Sequence, residues 1–559
     1  MSNRGSCQPP DATPAVAEGY AVSVVPGTAI AICARRDPFT ALMTRCLAPR
    51  KAAGPEAHSD ITWAPSLRLS KSRLDPTWPP TNHPLKLLLM TSTAALPVAG
   101  PRSLLGSAPE WACLRVNGDE EAPTHFTVVP DDHLDAKPNY YPAVNLRTSL
   151  GSHEHEILAA YREIVHTSFP LLDCQMINNS SRRDDSPMLA VMCLIASPYS
   201  SHMTKQVKAD FFSYVFRALP LQRRHPKIET VEAAVLFLQR PASIHRAPST
   251  PGLWAELGGI VGMSHELGLN VSPAKWNIPD AHRSRRIRLW WAVYIFDKWC
   301  ALGLGRPPYL SDENANVPLV TLKDFENDDP VLTVSAKQFI AMASLSRILS
   351  DILSIFYSLR SIHLLRSAPA EEVASTFNVF RGQLKIFKEA HLHELFATDL
   401  FRDPTGTVEL AFYTVEIVLC RAVLRKVDER HESYGEVRTY AKSALSNIAT
   451  LLQQLQINRL RAFWWNPISI LNFAIAGSFM FSLLLSSIND EEIEYWTAQI
   501  REFRRLLELQ RFGFDVTRLA STRMELLATV NNQKGVRKTT ASGDSEYFGG
   551  DLMVELEMI

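Results

Sequence analysis

The chain has 559 residues, with 58 Lys and Arg against 58 Asp and Glu, and this zero formal charge excludes a globally basic nucleic-acid-binding protein. Its 46% hydrophobic and 21% charged residues suit a globular body with a large core rather than a disordered or fibrous chain. The eight cysteines, scattered at 7, 33, 46, 113, 174, 193, 300 and 420, suit free thiols in a reducing compartment. The start of the chain shows no charged-then-apolar signal-peptide pattern.

Residues 1–145 hold 19 of the 36 prolines, and their apolar pieces (21–25, 85–90) are too brief for a core. A disordered, linker-like arm is expected there. A helical spacing begins at Glu154, with Ile157, Leu158, Tyr161, Ile164, Val165 and Phe169, and closes at Pro170. Further helices are predicted over 188–197, 207–219, 231–239 and 253–269. After an acidic loop at 323–330 come 335–365, 369–390, 407–427, 435–457, 467–488 and 490–510. No alternating strand pattern of useful length and no repeat is found. The expected fold is all-α: a large multi-helix body over 151–530, a Pro-rich arm over 1–150 and a loose polar tail over 531–559.

The central stretch runs from Asp280, a candidate N-cap, to Gly303 and Gly305, which supply a C-cap before Pro307 and Pro308 forbid continuation. From Leu289 to Phe296 every side chain is apolar or aromatic, so the helix is buried on all faces. The arginines at 283, 285, 286 and 288 mark one wet end. Because their helix continues into the core, they cannot enter a DNA groove, and pairing with the acidic loops is expected instead. Asp297 has no basic partner at i±3 or i±4, so burial requires a partner from elsewhere, and Arg306 is the nearest candidate.

Several chemical signals fail on spacing. Residues 463–488 are long and apolar enough for a membrane span, but Asn466, Pro467, Asn472 and five serines interrupt them and no second span is evident. His265-Glu266 lacks the second histidine of a zincin, Leu269 standing in its place. His153 with His155, and His391 with His393, lie two apart and point to opposite sides of a helix. Neither Gly258–Gly262 nor Gly303–Gly305 is a phosphate loop, and there is no nucleophile elbow. No catalytic or metal site is expected.

Arg285, Arg286, Arg288, Leu289, Trp290, Trp291, Tyr294, Asp297 and Lys298, then Leu304-Gly305-Arg306-Pro307, Asp312 and Val317-Pro318, resemble the signature of the fungal-specific transcription factor domain. That domain is the middle region of fungal zinc-cluster regulators. The similarity continues upstream in Ile228–Ala233, Ile244–Pro248 and Trp254–Leu269, and in wording is nearest to pleiotropic activators of nitrogen catabolism. Where the family often repeats Asp after Arg-Pro, this chain has Asp312-Glu-Asn-Ala-Asn316.

The resemblance implies a nuclear transcription regulator, with other regulators or the transcription machinery as partners, as a homo- or heterodimer, and no membrane. It also implies a zinc cluster of six thiolates. Cys7, Cys33 and Cys46 offer three without a Cys-x2-Cys pair, so no zinc and no direct specific DNA binding is expected. The chain would then reach promoters through another regulator, or compete with one, or have its true N-terminus missing from this sequence. The rival reading is a helical small-molecule-binding protein or enzyme sharing the scaffold.

Overall fold

The computed structural model describes residues 112–115, 125–128, 146–173, 177, 187–224, 226–240, 252–325, 330–396, 400–510 and 514–540. The expected disordered arm and Cys7, Cys33 and Cys46 lie outside the described residues, with one exception. Strands β1 (Ala112–Arg115) and β2 (His125–Val128) pair antiparallel, Cys113 opposite Thr127. Four residues per strand is too short for alternation to stand out in a sequence, which is why these strands are absent from the sequence reading.

The remaining described elements are helical. They begin with a short turn at Leu146–Leu150, then α1 (Glu154–Ala160), which continues as a π turn to His166. Helices α2 (Pro187–Ala196), α3 (Lys205–Gln222), α4 (Ile228–Leu238) and α5 (Leu253–Glu266) follow. Next come α6 (Asp280–Leu304), α7 (Pro330–Ile352), α8 (Leu359–Leu365) and α9 (Ala370–Phe387). The last five are α10 (Gly406–Leu424), α11 (Ser433–Gln453), α12 (Asn466–Leu485), α13 (Asp490–Gln510) and α14 (Arg518–Thr540).

Two helices organise the core. Helix α6 packs on α4, α5, α7 and α12, and α12 packs in turn on α10, α13 and α14. A helix touched from several sides must be apolar all round, which is the pattern of 289–296 and 468–483. Residues Arg285 to Ala301 are all buried. Helix α12 and the stretch Pro330–Tyr357 both have the length and composition of a membrane span. Their apolar windows are 78% and 67% buried inside the protein, so this surface faces other helices. The sequence reading noted only the first of these stretches.

The single helix expected over 335–365 is broken. Ser358 is extended (φ −70°, ψ 145°) and its Oγ accepts from Ser361 N at 3.1 Å, starting α8 afresh. A serine that caps its own downstream turn competes with helix continuation. Helix α14 extends past 530 to Thr540, in a region read from sequence as a loose tail. Its buried Ala520, Met524 and Leu527 follow helical spacing and fill the groove beside α12.

Both ends of α6 have identifiable chemistry. Pro279 is the capping residue; Asp280, expected as N-cap, lies within the first turn and takes a hydrogen bond from Arg283 at 2.7 Å. At the other end Gly305 sits at φ 61°, Arg306 N donates to Ala301 O at 2.9 Å, and Gly305 N donates to Leu302 O at 3.4 Å. This is a Schellman ending, and only glycine enters the left-handed region without strain. Gly303 has a different reason: a Cβ there would lie 2.5 Å from Leu471 Cδ1, so α6 and α12 approach backbone to side chain.

Candidate functional site

The signature residues cluster on α6 and the loop after it. Its wet end is shorter than the four arginines suggest, because Arg285, Arg286 and Arg288 are buried and only 280–284 reach solvent. Each buried guanidinium has its own partner. Arg285 makes a bidentate pair with Glu232 of α4 at 2.7 and 2.6 Å. Arg286 donates to the Leu267 carbonyl at 2.8 Å and lies 4.8 Å over the Trp276 ring. Arg288 pairs with Asp173, donates to the carbonyl of Asp324 in the acidic loop, and faces Phe325 at 5.7 Å. Fork-shaped guanidinium groups suit such two-ended contacts. The cluster is therefore a set of internal ties.

The aromatic members pack and tie at once. Leu289, Trp290 and Trp291 are buried, and Trp291 Nε1 donates to the Pro318 carbonyl at 2.7 Å. Pro318, Gly305, Arg306, Pro307 and Asp312 all lie exposed on the loop that follows the helix.

Asp297 is fully buried, as burial of its helix requires, but its partner is not Arg306. Its Oδ1 accepts from Tyr309 N at 2.8 Å, its Oδ2 from Leu310 N at 3.1 Å, and Lys298 Nζ lies 3.3 Å away. Lys298 also donates to the Leu310 carbonyl at 2.5 Å and sits 4.8 Å over the Tyr294 ring. The neighbouring pair thus clamps both backbone polar groups of one loop residue, Leu310. Arg306 lies after the helix has turned away and faces solvent, whereas a neighbour at i+1 reaches the same loop from the core. Burial pushes the Asp297 carboxyl up, while Lys298 and then the two backbone N–H groups draw it back down.

A second polar layer lies beside the clamp. Ser350 Oγ donates to Asp312 Oδ2 at 2.6 Å, and the Tyr294 hydroxyl hydrogen-bonds with the same two groups. Burial, reinforced by Asp312, raises the Asp351 carboxyl to about 6. Tyr309 stacks on Trp254 of α5 at 4.2 Å and donates to its carbonyl at 3.2 Å, closing the loop from outside. The departure from repeated Asp also has a use: Asn316 Oδ1 accepts from Ser272 N at 2.7 Å, and the carbonyl of Asn314 accepts from Asn270. Asp173, Glu232, Trp254 and Tyr309 were missed from sequence as partners. Only Glu232 carried a signal, a carboxylate inside an apolar helix.

For metals, one group of suitable ligands occurs among the described residues: His153, Glu156 and His202, their ligand atoms within 4.8 Å and all exposed. His202, not His155, completes it. Cys193, Cys300 and Cys420 are buried and free.

The clamp, the arginine ties and the loop lie within a stretch that comparison with known proteins singles out. Residues 153–385 match the fungal specific transcription factor domain. Among curated proteins, it is 24% identical over 468 residues to the transcriptional activator protein DAL81 of Saccharomyces cerevisiae, covering 73% of this chain and 47% of that protein. It is 24% identical over 383 residues to an uncharacterized transcriptional regulatory protein of Schizosaccharomyces pombe, covering 66% and 56%. It is 22% identical over 407 residues to the acetamidase regulatory protein of Aspergillus oryzae, covering 68% and 51%. The chain thus spans about half the length of these curated relatives. No solved structure matches. Within the matched stretch, α6 is a buried axis, and its charged residues hold it to α4, to the acidic loop and to the loop at 305–316.

Proposed function

We propose that this chain is a fungal transcription regulator that works in the nucleus through its helical body, without catalysis, and reaches promoters with a partner DNA-binding regulator. The fungal specific transcription factor domain and the relatives named as transcriptional activators or regulators support the regulatory role. The observation that carries the partner-dependent part is that Arg285, Arg286 and Arg288, in the densest arginine cluster of the signature, are buried and engaged inside the protein. Sequence readout needs side chains that reach base edges and cations that reach phosphate. A buried, paired guanidinium reaches neither.

The test has two arms. The purified chain is expected to give no sequence-specific footprint at physiological salt, and any low-salt binding should fade as salt rises. The chain fused to an unrelated DNA-binding domain is expected to change the output of a reporter carrying that domain's site. A specific footprint overturns the partner-dependent part; a silent fusion that is folded and nuclear overturns the regulatory role.

A further inference from the structure

A cleft of about 490 Å³ opens where the π turn after α1, the ends of α2 and α4, the start of α12 and the segment 514–516 converge. That volume lies in the usual range for small-molecule sites. Phe463, Trp464 and Phe514 supply aromatic wall, and the Trp464 indole N–H is already engaged by the Arg459 carbonyl at 2.9 Å.

The decisive residue is Gln239, which lines the inner side and is fully buried. Its backbone N–H donates to Leu236 O at 2.9 Å, yet among the described residues neither its side-chain Nε2 nor its Oε1 meets a hydrogen-bond partner. A primary amide offers two donors and an acceptor, and buried polar groups in folded proteins are nearly always paired.

On the outer side Arg461 is exposed, and its side chain makes no ion pair or hydrogen bond among the described residues; its guanidinium lies 6.0 Å from the Phe401 ring. Arg402 lines the same cleft, with a long contact to Glu163 at 3.8 Å and its guanidinium 5.5 Å from the Phe401 ring. One lining carboxylate, Asp515, is exposed.

We propose that this cleft binds a small organic acid whose carboxylate faces Arg461 and whose far end offers a donor and an acceptor to Gln239. A guanidinium fork matches a carboxylate, and a carboxamide at the other end matches the donor and acceptor of Gln239. The site lies beyond the signature clamp, and its occupancy does not depend on the transcriptional reading.

The test uses the purified full chain with succinamate, and with butyrate and butyramide as controls lacking one end or the other. Binding is read by thermal shift and by ligand-detected NMR. Succinamate is expected to bind about tenfold more tightly than either control. Arg461→Ala, at an exposed position, is expected to weaken succinamate about tenfold while leaving unfolding unchanged. Gln239→Leu is expected to abolish the preference for succinamate over butyrate. No binding by succinamate overturns the proposal, as does binding that the folded Arg461→Ala variant leaves unchanged.

Discussion

Two buried polar sites of the same protein differ in one respect. At the end of α6, Asp297 and Lys298 are as deeply buried as any core residue, and the loop peptide at 309–310 satisfies both. At the end of α4, Gln239 is equally buried and its amide meets no partner among the described residues. The first arrangement is complete without a ligand, so its chemistry is structural. The second is incomplete, and the burial of an unpaired amide costs about 1–3 kcal/mol unless something fills the cleft. Conspicuous residues in a sequence therefore need not be the ones left for a ligand.

The largest effect is expected at the clamp. Asp297→Ala removes the acceptor for two N–H groups and leaves a buried Lys298, costing about 3–5 kcal/mol in equilibrium unfolding. A loss below about 1 kcal/mol would mean the loop re-pairs and the clamp is not structural.

Glu232→Ala strands the buried Arg285 and is expected to cost a similar amount, about 3–5 kcal/mol. Glu232→Met combined with Arg285→Met removes both charges, and the double variant should be more stable than Glu232→Ala alone. Additive losses would show that the two side chains act independently.

Gly303→Ala pushes a Cβ into Leu471 and should cost about 1–3 kcal/mol. Shortening the partner with Leu471→Ala should make the added methyl less costly, so the two changes should be non-additive.

The last effect is a pH slope, absent at low pH and growing only as the pH rises. Burial raises the Glu416 carboxyl to about 7, with Tyr440 and Lys388 opposing. The folded protein then holds that proton more tightly than the unfolded chain does. Glu416 therefore loses stability for the fold as pH rises from about 4.5 to about 7, and is neutral in slope outside that window. Relative to the parent, Glu416→Gln should gain stability across that window, by about 3 kcal/mol at pH 7.5. A difference that stays flat with pH would contradict the raised carboxyl.

Much of this architecture was legible because helical periodicity is a local property. Helices α2 to α6 and α9 to α13 follow directly from apolar spacing, and the burial of α6 follows from its lack of a polar face. What was not legible is non-local. Asp297 pairs with its sequence neighbour Lys298 and with a backbone that folds back, whereas its helix faces offer no partner and leave Arg306, beyond the helix end, as the nearest candidate in sequence. Arg285 and Arg288 find carboxylates 53 and 115 positions away, at Glu232 and Asp173, which spacing cannot rank. The break at Ser358 depends on one hydroxyl turning to its own backbone. Gln239 looked like an ordinary helix end, and only the convergence of distant segments makes its amide stand out.

The contrast between the two sites is tested most directly by unfolding the parent, Asp297→Ala and Gln239→Leu side by side without added ligand. Gln239→Leu replaces an unpaired amide with an apolar group of similar size, and is predicted to raise stability by about 1–3 kcal/mol while Asp297→Ala lowers it. If Gln239→Leu instead destabilises the folded chain as Asp297→Ala does, the amide is satisfied in the native protein and the distinction between the two sites fails.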